Sequence, residues 1–189
     1  MPAVIRKGLA KGIKMANAGT IPIIDKHVVD NLNNSVKKVE ERKKLETTVR
    51  KAVTTLQAQR ADVVRNSNLA VVDRGAAHAK FTTLKGKVDK HISDMRLLNI
   101  DFNSNVLLKL KKEDVSKVVG YKCHDDIVYY GVKDSNTPQT VQYRRDIEAL
   151  EKQANIVLEL NKKLEDFSKK LDTIKDKEDA ELEKLTKEK

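Results

Sequence analysis

From Val49 to Leu98 the chain repeats in threes and fours without a change of phase, and that regularity constrains the fold more than any other feature. The row is 49, 53, 56, 60, 63, 67, 70, 74, 77, 81, 84, 88, 91, 95 and 98, and eleven of these fifteen positions are apolar. The exceptions are Arg60, Ser67, Arg74 and His91. A helix presents such a row as one stripe that must be covered. A hairpin turning at Asp73-Arg74-Gly75 has no reason to keep one phase across its turn, so the spacing predicts a single helix to about Leu98, with a hairpin at Gly75 as the alternative. Gly75 and Gly86 lie off the stripe, where each costs about 1 kcal/mol without ending a helix.

Upstream, Val29, Leu32, Val36 and Val39 carry the same period, Asp25 is positioned to cap it, and the charged run Glu40 to Lys44 interrupts it. The long helix is therefore assigned to 27–99. A second one is assigned to 137–189. Thr137-Pro138 supplies a hydroxyl cap followed by proline at the first helical position, and no later Gly or Pro interrupts. Its stripe is Ile147, Leu150, Ala154, Val157, Asn161 and Leu164, continued after a three-residue slip by Phe167, Leu171 and Ile174. The charged C-terminal residues are expected to fray.

Residues 100–136 differ in texture, because five of the seven aromatics lie between Phe102 and Tyr143. A short helix headed by Lys112-Glu113-Asp114 is expected there. A β-hairpin is expected to follow it, with strands at Val118–Tyr121 and Ile127–Val132 and a turn at His124-Asp125-Asp126. With 35% charged and 4% aromatic residues and no Trp, the chain lacks bulky material for a deep core. The expected fold is mainly α: an elongated antiparallel coiled coil of two long helices, with a small α/β tip module containing the hairpin at the turn. Dimerisation or a larger bundle would cover the stripe that the return helix does not reach, Val28 to Val39 in particular.

Catalytic, cofactor and metal sites find no support in the residue spacing. His27, His78, His91 and His124 are scattered, and Cys123-His124-Asp125-Asp126 is too tight and isolated for tetrahedral zinc. Cys123 is the one cysteine, so no intramolecular disulfide is expected, and a reducing compartment follows by default. No apolar run is long enough to span a membrane. Basic residues break up the N-terminus where a secretory signal would be apolar. The location expected is cytoplasmic, or inside a particle assembled there.

The net charge of +10 is uneven. It amounts to +4 over residues 1–26, +7 over 27–99, zero over 100–136 and −1 over 137–189. Lys37, Lys38, Arg42, Lys43, Lys44, Arg50 and Lys51 are the candidate polyanion-binding set. Glu40, Glu41 and Glu46 dilute it. In the basic N-terminal segment, Leu9 and Ile13 fall on one side and Lys7, Lys11 and Lys14 on another, with Arg6 beside them. That arrangement suits a partner protein or an anionic membrane surface. Tyr121, Tyr129 and Tyr130 make the tip module a candidate docking head.

Arg60, Ser67 and Arg74 in the stripe imply either acidic partners or a stripe open to solvent, since a buried unpaired Arg is costly. His91 and Asn161 fit polar register devices. The function expected is a non-enzymatic, oligomeric coiled-coil protein of structural or assembly type, as in a virion or other large particle. Its partners are further copies of itself and other proteins, and no small-molecule substrate is expected. The alternative is a basic nucleic-acid-binding protein using the first half of the chain.

Overall fold

The computed structural model describes residues 25–134 and 136–187. The element order is α1 (Lys26–Leu97), β1 (Phe102–Leu110), α2 (Lys112–Val119), β2 (Ile127–Val132) and α3 (Pro138–Thr186). Two compact units are present: one comprises residues 55–179, and the other the described residues through Thr54 and from Ala180. The basic N-terminal segment, with Arg6, Lys7, Leu9, Lys11, Ile13 and Lys14, lies outside the described residues.

α1 is one helix of 72 residues, and Gly75 and Gly86 both stand in open space within it. The alternative hairpin at Gly75 is therefore excluded. Asp25 caps the start, its Oδ1 accepting the His27 N–H at 3.1 Å. The end is a Schellman turn. Asn99 adopts φ 56°, Ile100 N–H donates to the Met95 carbonyl at 3.0 Å and Asn99 N–H to that of Arg96 at 3.1 Å. Every buried residue of α1 falls on the predicted row: Val49, Ala70, Ala77, Phe81, Val88 and Met95.

α3 begins as its sequence implies, with the Thr140 N–H donating to Thr137 Oγ1 at 3.2 Å ahead of Pro138. It stays helical to Thr186, through the charged residues for which fraying was expected. In the unit of residues 55–179, α1 and α3 pack antiparallel. The order of their cross-links gives the direction: Arg60 meets Glu178, Arg74 meets Asn161, and His91 meets Asp146. Phe81, Val88 and Met95 join Tyr143, Ile147, Leu150, Ala154 and Val157 in the core, together with Leu108, Leu110, Val115, Val118, Tyr129 and Val132 of the intervening module.

That module contains the expected short helix and a two-stranded antiparallel sheet, but the pairing differs from the expected hairpin. β2 pairs with β1, in the register Leu108↔Tyr129 and Leu110↔Ile127, and α2 crosses between the two strands. Val118 and Val119 belong to α2, where Val115 and Val118 bury one helical face. Their β-branched content favours a strand locally, but spacing by three from Val115 on a helix ending at Gly120 (φ 80°) buries Val118 against the core, with Val119 half-buried beside it. β1 was missed because Asn103, Ser104 and Asn105 dilute its apolar pattern; register irregularities occur on that stretch, where Asn103 Oδ1 accepts the Asn105 N–H at 2.9 Å. A Cβ at Gly131 would lie 2.9 Å from Asn103 Oδ1, so a side chain there would displace the Asn103 amide.

Candidate interaction surface

Three of the four polar residues within the α1 row, Arg60, Arg74 and His91, have partners on α3. Arg60 Nη2 donates to Glu178 Oε2 at 2.7 Å, and Glu178 is largely buried. His91 Nε2 lies 2.7 Å from Asp146 Oδ2, whose other oxygen accepts from Gln142 Nε2 at 3.0 Å. Asn161 bridges two elements: its Oδ1 accepts from Arg74 at 3.3 Å, and its Nδ2 donates to the Lys117 carbonyl at 3.1 Å. Between the two anticipated outcomes, acidic partners or open solvent, the answer is mixed. Arg60 has an acidic partner; Arg74 is exposed and held by an amide.

Of the candidate docking tyrosines, Tyr129 is not a surface residue. It is buried and donates from its hydroxyl to Asp89 Oδ1 at 3.2 Å; burial, then Asp89, push its phenol upward. Tyr130 and Tyr121 are exposed. The Tyr130 carbonyl accepts the Tyr143 hydroxyl at 2.8 Å, and burial, then Asp89, raise the Tyr143 phenol to about 12. Phe102 meets the Tyr143 ring edge-on at 6.3 Å. Tyr121 stands at a cleft of about 760 Å³ with Phe81, Val115, Val119 and Ile127 among its apolar lining and His78 and His124 among its polar lining. Mixed charge there, with Lys85 paired to Asp89 at 2.7 Å, selects no ligand class.

The candidate polyanion set is dispersed by the helix that carries it. At about 100° per residue, Lys43 and Arg50 share one side of α1, Lys37, Lys44 and Lys51 a second, and Lys38 and Arg42 a third. Arg42 also pairs with Glu46 at 3.4 Å. The structure thus brings the seven residues onto one element without assembling them into one face.

The surface that the sequence reading missed lies on the opposite side of α1 from α3. Val72 is exposed there, to 69%, with exposed Leu69 (60%) along one edge of that side and exposed Val64 and Val71 along the other. Ala61, Gly75 and Ala79 extend the face. The signal was present as a second row of uncharged residues at steps of three and four, hidden behind the stronger aliphatic row. Val28, Leu32 and Val39 are exposed separately, in the other unit.

Among the described residues, no helix is long and apolar enough to cross a membrane, and no group of three or more His, Cys, Asp or Glu is arranged to hold a metal ion. No protein-family model, curated protein or solved structure matches the chain.

Proposed function

We propose that the chain is a non-enzymatic, oligomeric coiled-coil protein that acts in assembly or in binding other proteins, with α1 as its association surface. The observation carrying this reading is the set of large aliphatic side chains left exposed on α1 outside its seam with α3: Val64, Leu69, Val71 and Val72. A face of this kind on a helix gains free energy when another surface removes it from water, by about 25 cal/mol per Å². Val28, Leu32 and Val39 add a further uncovered stretch, considered by itself.

The nucleic-acid alternative has the weaker basis, because its basic residues point to three sides of one helix and Glu46 occupies Arg42. Sedimentation equilibrium of the full chain over the micromolar range tests the leading reading. The expected mass is a multiple of 21.4 kDa. A mass that stays at that of one chain, with no protein partner recovered, overturns it.

A further inference from the structure

One edge of the outer face of α1 is marked by Asp62, Arg65, Leu69, Asp73, Ala76 and Lys80, which follow each other at steps of three and four and are all exposed. Their charges read negative, positive, negative, positive along the helix. Beside them runs the uncharged middle of the face, Ala61, Asn68, Val72, Gly75 and Ala79. In a chain with 35% charged residues, a helix face with charges only along its edge in this order calls for a partner of defined polarity.

We propose that this face takes α1 of a second copy of the chain, running antiparallel across a two-fold axis beside residue 70. The proposal rests on the self-assembly reading above and adds the partner and its direction. Reversal of the edge about residue 70 brings Lys80 of the second copy to within about 3 Å of Asp62 along the axis, and Asp73 of the second copy to within about 3 Å of Arg65; the symmetry repeats both pairs. A parallel copy would instead bring this edge against the opposite one, Val64, Val71 and His78, where its charges meet no countercharge.

Size agrees with charge. The same axis places Ala61 opposite Ala79, Val72 opposite Asn68, and Arg65, the one long side chain bordering the middle, opposite Gly75. Leu69 lies beside its own counterpart. Arg65 at present donates to Asp62 at 2.7 Å, but these side chains are 69% and 66% exposed, so their pair is worth little and exchanges readily. Antiparallel helices also oppose their macrodipoles favourably.

The test uses the full chain with C123S, so that no native thiol competes. A61C and A79C chains carrying different tags are co-expressed and oxidised. A disulfide between A61C of one copy and A79C of the other is expected, because facing Cβ atoms fall near the required ~4 Å. Disulfides joining A61C to A61C are not expected, since those positions would lie about 27 Å apart along the axis. Predominance of A61C to A61C bonds would show a parallel pair and overturn the proposal. Separately, V72D should raise the dissociation constant by about tenfold or more with helicity retained. Reversing both D62K and K80D in one chain should associate more tightly than either change alone. An oligomer insensitive to V72D and lacking the A61C to A79C bond overturns this arrangement while leaving self-assembly standing; a chain that remains monomeric overturns both.

Discussion

The side of α1 that meets α3 and the side that faces away from it repeat with the same spacing, yet they treat charge in opposite ways. The inner row includes Arg60, Arg74 and His91 and keeps them by supplying Glu178, Asn161 and Asp146 from α3. The outer face excludes charge from its middle and leaves Val64, Leu69 and Val72 exposed. A polar group within a helix contact is tolerated when the neighbouring helix returns a hydrogen bond, because the desolvation cost is then offset. Exposed aliphatic side chains have no such internal remedy. The inner row therefore reports how this chain folds, and the outer face is the surface assigned to association in the proposal above.

Substitution of large side chains should separate the two sides most clearly. Phe81→Ala on the inner row, where the ring is 1% exposed, should cost about 3–5 kcal/mol in chemical denaturation. Val72→Ala on the outer face should change the stability of the dilute chain by no more than about 0.5 kcal/mol. Equal losses at the two positions would break the distinction.

The inner polar links offer a smaller effect. Arg60→Ala should cost about 1 kcal/mol, close to the range of surface pairs because the Arg60 side chain is 40% exposed. Arg60→Glu combined with Glu178→Arg should recover most of what either reversal loses, read from denaturation midpoints. Independent, additive losses would mean that the pair does not set the register.

Alkaline titration sharpens the contrast between buried and exposed aromatic groups. The folded chain holds the phenols of Tyr129 and Tyr143 protonated above the ordinary value near 10, the latter to about 12. Raised folded values mean that the unfolded chain loses these protons first, so their contribution is complete below about pH 10 and falls as pH rises through the folded values. Tyrosinate absorbance should show two of the four tyrosines ionising late, with stability declining from about pH 10. Tyr143→Phe should flatten part of that decline. A modest gain is expected at Gly86→Ala, a stabilisation of about 0.5–1 kcal/mol, since nothing approaches the added methyl group.

Much of the inner architecture was legible because it depends on period. The row from Val49 identified the buried residues of α1, and Thr137-Pro138 located the start of α3. The intervening module was less legible. Its strand β1 begins with a polar stretch whose pairing depends on a partner 20 or more residues away, and Val118-Val119 has strand-like composition but helical spacing. Tyr129 and Tyr130 are adjacent and chemically alike, so only the pleat, which sends alternate side chains to opposite faces, divides them into one buried and one exposed ring. The outer face escaped notice because alanine, glycine and asparagine contribute little to a search for aliphatic repeats.

The sequence by itself determined that α1 is continuous and which of its sides is covered, since an unbroken seven-residue phase records a helix and its seam in local spacing alone. Only the tertiary structure decided which residues answer Arg60, Arg74 and His91, which strand completes the sheet, and which aliphatic side chains are left over. Those outcomes depend on what another part of the chain brings into contact, and burial is a property of such encounters that no single segment encodes.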